Sequence, residues 1–333
     1  WKSLNENPYK PLLNKPLSAI YPPGSTFKTI TALAAQVSGV KPSFRVNCPG
    51  RLWYGNRFFY CWRHEGHGSL DMRGAIKNSC DVYFYTLAQS LDIDVIAAVA
   101  RKMGLGQTFE LGIPGQKAGV IPDRAWKQRY YAGTPNATWF QGETLSVVIG
   151  QGSVTATPLQ LAVQAARIAT GLEVRPRIVR VWGDKELPPP TPAPIDLDPS
   201  YFDVVRAGMD AVVNEAGGTA GRARLDDPAW RLAGKTGTSQ LYHISNEDRA
   251  RGLTQPEDLP WARRDHALFI CFSPVDAPRY ACAVVVEHGI GGAKMAAPKA
   301  QAIMTAVTQK NPAALPAFDP RAVARAAPAA REG

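Results

Sequence analysis

Ser25 and Lys28 stand three residues apart in "YPPGSTFKTITALAA" (21–35), at the start of a run that reads as a helix over 25–37. Residues i and i+3 share a helix face, roughly 5–6 Å apart at Cβ, so hydroxyl and amine are placed to share a proton. A serine hydroxyl is a weak nucleophile until a base activates it. A lysine becomes that base when burial or a second cation lowers its pKa. Two later stretches offer what such a pair needs. Ser79-Cys80-Asp81 supplies a hydroxyl and a carboxylate between two helical runs, and Lys235-Thr236-Gly237-Thr238 supplies a second amine within a strand-like run. In this scheme Lys235 is the second cation and Ser79 relays a proton. Asp81 anchors either Lys28 or an incoming amine. Thr236 and Thr238 offer hydroxyls to a substrate carboxylate, Gly237 leaves the strand edge clear for substrate, and the N–H groups of Ser25 and Thr238 hold an oxyanion. The chemistry is acyl transfer through serine.

Each motif alone is weak. Ser38-Gly39-Val40-Lys41 and Ser90-Leu91-Asp92 match the same spacings, one across a helix end at Gly39 and the other at the end of a helix. A capping serine with a solvated lysine, or a charge on a strand edge, is the plainer explanation for any single match. Three motifs in order, each in a suitable local context, outweigh it.

A second constellation is metal-like. Cys48, Cys61, His67 and Cys80 are spaced by 12, 5 and 12 residues, with His64 as a spare. Three thiolates and an imidazole satisfy a tetrahedral structural zinc site, while a Cys48–Cys61 disulfide with Cys80 buried is the competing expectation. Alternation in an extended segment turns Cys80 away from the face shared by Ser79 and Asp81, so a metal there would pin the catalytic loop from behind. Cys271 and Cys282 lie at matched distances from the turn "PVDAP" (274–278), as a facing pair or as small core residues.

The elements that must position these groups follow from period and punctuation. Residues 1–22 are proline-rich and loop-like, and 40–70 are turn-rich and aromatic without helical period. Helices are expected over 71–78, over "DVYFYTLAQSL", over 95–104, over 157–171 between Pro158 and Gly171, over 199–214 and over 296–309. Residues 105–135 are rich in Gly and Pro, and "LPPPTPAPI" (187–195) is a surface loop. "WRLAGKTGTSQ", "HALFICFS" and "RYACAVVVEH" read as three strands, the last two a hairpin. Helices first and antiparallel strands late indicate a mixed α/β domain of the α+β kind. An Ala/Pro-rich tail from 311 to 333 reads as disordered.

The chain has 333 residues, 45% hydrophobic and 20% charged, with a formal net charge of +10. That composition is globular. The basic residues are scattered rather than striped among aromatics, which argues against nucleic acid as a partner. No apolar run approaches the roughly 20 residues needed to span a bilayer.

"YPPGSTFK", "SCDVYFY", "IGQG" (149–152) with "TPLQLA" (157–162), "GGTA" (217–220), "GKTGTSQ", "RDHALFICFSP" and "VEHGIGG" with "AAP" (296–298) together resemble a class B penicillin-binding protein of the elongation type. The resemblance covers roughly residues 10 to 309. It implies a transpeptidase domain over 1–310, with an antiparallel sheet flanked by helices and an all-helical subdomain over roughly 40–180. It also implies a missing leading helix and strands, leaving three strands and an exposed edge. The implied activity is that of a peptidoglycan D,D-transpeptidase with stem-peptide substrates, acylated by β-lactams and needing no cofactor for chemistry. Implied partners are a lipid II polymerase and a scaffold of the elongation machinery. The implied location is the periplasmic face of the inner membrane, with an anchor outside this chain. Asp81 departs from the commoner Asn of the middle motif. Alternatives are a silent β-lactam sensor or scaffold and a serine β-lactamase; against the latter, Glu143 is a poor deacylating base.

Overall fold

Seven consecutive residues of "HALFICFS" (267–273) are apolar or small, the signature of a strand covered on both faces, and His266–Ser273 is buried along its whole length. A computed structural model of the chain describes residues 1–188, 190–241 and 254–314. In it this segment is the central strand of a three-stranded antiparallel sheet, ordered β7 (Ala233–Ser239), β8 (His266–Ser273), β9 (Tyr280–Val286). The register sets Lys235 opposite Ile270 and Cys271 opposite Cys282. Among the described residues β7 and β9 are both edges, and every residue of β9 is half-buried.

Helices cover this sheet. The 3-10 turn Gly24–Phe27 runs into α1 (Lys28–Val37), which is buried from Lys28 to Gln36. After it come α2 (Met72–Lys77), α3 (Asp81–Ala88), α4 (Ile93–Lys102), α5 (Arg124–Tyr130), α6 (Gln141–Val147), α7 (Pro158–Thr170), α8 (Ser200–Asn214) and α9 (Ala297–Lys310), of which α7, α8 and α9 pack on the sheet. Helix α7 starts and stops where its sequence says. Thr157 Oγ1 accepts from the Gln160 N–H at 3.2 Å, and Gln160 Oε1 accepts from the Thr157 N–H at 2.9 Å. Pro158 fills the first turn, and Gly171 closes the helix in the left-handed region at φ 71°.

The region over 40–180 is not purely helical. It carries β1 (Val46–Cys48) paired with β4 (Gly68–Leu70), and a hairpin of β2 (Arg51–Tyr54) with β3 (Arg57–Tyr60); a two-residue ribbon of β5 (Val181–Trp182) with β6 (Lys185–Glu186) follows it. Gly55-Asn56 is a two-residue hairpin turn flanked by aromatic and apolar residues, with Gly55 at φ 61°, and such residues favour strands. Two single-turn helices (Lys2–Asn5, Lys15–Ser18) arise in the stretch read as loop-like, α5 lies in the Gly/Pro-rich stretch, and α6 lies where no element was expected. Each is short, so its period is too brief to read. Residues 315–333, most of the expected tail, lie outside the described residues.

Candidate active site

Gly24 sits at φ 54°, and a Cβ there would lie 2.2 Å from the Thr238 carbonyl oxygen. Only glycine permits that approach, and it seats the Ser25 turn against β7. The Gly24 N–H donates to the Gly150 carbonyl at 2.9 Å, and Thr26 Oγ1 donates to the Pro23 carbonyl at 2.8 Å. The turn is therefore fixed from three sides. Gly237 has a packing reason beside the one its motif suggests. A Cβ on it would meet the Pro23 carbonyl at 2.8 Å and the Thr26 side chain at 2.9 Å, so its smallness serves turn-to-strand packing at a residue that also lines the cleft.

Four of the expected residues form one buried network. Lys28 Nζ donates to Asp81 Oδ1 at 2.7 Å, to the Ser79 carbonyl at 2.8 Å and to Ser79 Oγ at 3.3 Å. Lys235 Nζ donates to Ser79 Oγ at 2.8 Å and to the Thr236 carbonyl at 3.1 Å. Both lysines are fully buried. All three protons of Lys28 thus face acceptors of this network, and among the described residues no hydrogen bond joins Lys28 to Ser25. In the described network Ser79 Oγ lies between the two amines. Asp81 faces Lys28, one of its two expected partners.

The electrostatics follow from burial. Two ammonium groups against one carboxylate would leave a net positive charge in a dry site. Burial first, and then the neighbouring Lys28, push Lys235 well below the ordinary lysine range, with Asp81 opposing. Burial raises Asp81 from the usual carboxylate range, with Lys28 pulling the other way. Lys235 is therefore the amine disposed to be neutral. Ser79 itself adopts φ 51°, left-handed for a non-glycine residue, at a strain of roughly 1–3 kcal/mol.

Ser25, Ser79, Asp81, Thr236, Gly237 and Thr238 all line one cleft of about 530 Å³. Among the described lining residues Asp81 is the sole carboxylate. Glu143 lies elsewhere, paired with Lys127. The two chance matches fall away: Ser38 and Lys41 are exposed at the end of α1, and Asp92 caps α4 and pairs with Arg124. Other lining residues received no role from sequence, although "GGTA", "IGQG" and "VEHGIGG" contain them. Thr219 Oγ1 lies 3.1 Å from Thr236 Oγ1, Gln151 Nε2 donates to the Thr238 carbonyl at 3.0 Å, and Ile290 through Lys294 close one wall.

Behind the cleft, one ligand atom each from Cys48, Cys61, His67 and Cys80 lies within 4.8 Å of the other three. His67 Nδ1 is 3.7 Å from Cys48 Sγ and 3.5 Å from Cys61 Sγ, and its Nε2 is buried without a hydrogen-bond partner among the described residues. The Cys80 thiol, a hydrogen-bond donor to Cys61, pulls Cys61 down to about 2, and the same contact with burial raises Cys80. The cluster touches the site twice. The Asp81 N–H donates to Cys61 Sγ at 3.4 Å, and the N–H of Trp62, next in chain, donates to Asp81 Oδ2 at 3.0 Å.

Residues 2–305 match the penicillin binding protein transpeptidase domain. The chain belongs to that family. It is 35% identical to the peptidoglycan D,D-transpeptidase MrdA of Acinetobacter baumannii over 303 residues, 89% of this chain and 44% of that protein. It is 29% identical to MrdA of Escherichia coli K12 over 333 residues, 97% and 51% of the two. The chain thus spans about half the length of the curated relatives it matches. Among solved penicillin-binding proteins it superposes on Pseudomonas aeruginosa PBP2 in complex with WCK 5153 with a TM-score of 0.78 at 35% identity, covering 92% of this chain and 65% of that one. Against the complex of PBP2 with MreC from Helicobacter pylori the TM-score is 0.79 at 30% identity, covering 93% and 54%. Both sets of likenesses agree with the elongation-type resemblance of the penicillin-binding protein motifs.

Proposed function

We propose that the chain is the catalytic part of a peptidoglycan D,D-transpeptidase. Ser25 Oγ attacks the penultimate D-alanyl carbonyl of a stem peptide, the D-alanine leaves with a proton, and an amine from a neighbouring strand takes the acyl group. The observation that carries this is the Lys28–Ser79–Lys235 network on Asp81, at the wall of the cleft that Ser25 lines. The neutral amine of that network, reached through Ser79 Oγ, receives the serine proton and returns it to the leaving group. An acyl oxygen on Ser25 falls between the N–H of Ser25 and that of Thr238, the residue Gly24 abuts. Thr236, with Thr219 against it, and Thr238 bind the substrate carboxylate.

Hydrolysis is disfavoured by the same lining. The single carboxylate already accepts from Lys28 and Trp62, so no described acid is free to activate water, and the acyl-enzyme waits for an amine. A silent sensor would have no use for two buried lysines on one hydroxyl. The reading extends to the whole protein as inner-membrane anchored, periplasmic, and working with a lipid II polymerase and a scaffold. The solved complex of a relative with MreC supports the last.

Cys48, Cys61, His67 and Cys80 would hold a structural zinc. Ligand sulfurs at about 2.3 Å from the ion stand roughly 3.8 Å apart, a separation the cluster approaches with small shifts. The ion would supply no chemistry; its ligands fix the loop that carries Ser79 and Asp81. The test of the function is covalent labelling by a fluorescent penicillin. Labelling in the wild-type chain and none in Ser25→Ala is expected, and labelling that survives Ser25→Ala overturns the assignment.

A further inference from the structure

The β2–β3 hairpin has two unlike faces. Leu52, Tyr54 and Phe59 turn inward and pack on the core, with Phe59 edge-on to Tyr85 at 5.5 Å. Register places Arg51 opposite Tyr60 and Trp53 opposite Phe58, so these four share the outward face. Trp53 is 56% exposed and Phe58 38%. Their rings meet edge-on at 4.8 Å, Phe58 lies 6.2 Å from Tyr60, and the Arg51 guanidinium sits 4.4 Å over Phe58. The inner face already anchors the hairpin, so the outward rings are not needed to hold it down, and an aromatic strip left in water marks an interaction surface.

The strip leads somewhere. Tyr60 lines the cleft, and so does Trp62, 57% exposed, whose indole N–H is pinned to the Asn78 carbonyl at 3.0 Å. From Trp53 and Phe58 through Tyr60 to Trp62 the aromatic surface is continuous with the mouth of the site, over roughly 13 Å at strand spacing. We infer that this ledge carries the glycan strand to which the acyl-donor stem peptide is attached. A pyranose ring has an apolar C–H face and a hydroxyl rim, which match an aromatic face and its amphipathic edge. Arg51, stacked on Phe58, borders the strip with a guanidinium suited to sugar oxygens and to the acidic groups of the peptide where it joins the sugar. The inference rests on the transpeptidase reading, since it takes the cleft to hold the peptide.

The experiment uses the full-length protein and two donors with the same stem pentapeptide, one free and one linked to a short glycan oligomer. A Trp53→Ala/Phe58→Ala variant is expected to raise KM for the glycan-linked donor roughly tenfold and to leave KM for the free peptide and the rate of penicillin labelling within about twofold. Calorimetry with peptide-free glycan oligomers is the second arm, with binding to wild type and none to the variant expected. Equal effects on both donors, or no glycan binding by wild type, overturn the ledge. So does loss of a partner protein from the variant with glycan kinetics unchanged. Failed penicillin labelling with glycan binding intact overturns the transpeptidase reading alone.

Discussion

At the scale of single residues, the site is a problem in placing charge. Two lysines share one hydroxyl and have one carboxylate between them, so one proton too many is held in a dry place. The pKa of Lys235 is lowered, and the sign for activity follows. The amine loses its proton at a pH well below that of an exposed lysine, so the acylation rate climbs through that lowered pKa and is flat above it. A penicillin acylation profile against pH checks this, and Lys235→Arg, which stays charged, is expected to lose the plateau. Asp81→Asn removes the carboxylate paired with Lys28, and breaking a buried pair costs about 3 kcal/mol or more. Chemical denaturation of the variant should show a loss of that order. The motifs made these four residues legible in sequence. The bridge that Ser79 Oγ makes between Lys28 and Lys235 was not legible, because i, i+3 spacing fixes a shared face and not where a long side chain ends.

At the scale of elements, glycines decide how the turn bearing Ser25 meets β7. Gly24→Ala forces a Cβ into the Thr238 carbonyl from a left-handed backbone, and a shift of about 1 Å at a nucleophile costs on the order of a hundredfold in rate. Gly39→Ala is the control. It has a positive φ as well, but nothing lies within 4 Å of its added methyl, so stability falls by about 1 kcal/mol and acylation persists. Comparing acylation rates of the two variants checks the claim. The long helices and the three sheet strands were readable because their period runs over many residues. Helix α7 was readable at both ends because Pro158 and Gly171 punctuate it. The β2–β3 hairpin was passed over as turn-rich loop, although Gly55-Asn56 between aromatic runs carries the hairpin signal. The packing of Gly237 against the Ser25 turn was not legible, since its neighbour Pro23 is distant in sequence.

At the scale of the whole molecule, a cysteine–histidine cluster backs a catalytic cleft, and the loop Ser79–Asp81 belongs to both. A structural zinc predicts one zinc per chain in native mass spectrometry, and its removal by chelator should lower the melting temperature and slow acylation together. A mapped Cys48–Cys61 disulfide with no bound zinc would contradict it. The central claim concerns Ser25 and what becomes of its acyl group. Intact-mass spectrometry of the protein with penicillin, before and after adding an acceptor amine, tests it most directly. The account predicts one adduct per chain on Ser25, stable in water. With a stem-peptide thioester donor in place of the drug, it predicts an acyl group that moves to the amine. No adduct, or an adduct released by water as fast as it forms, would contradict the account.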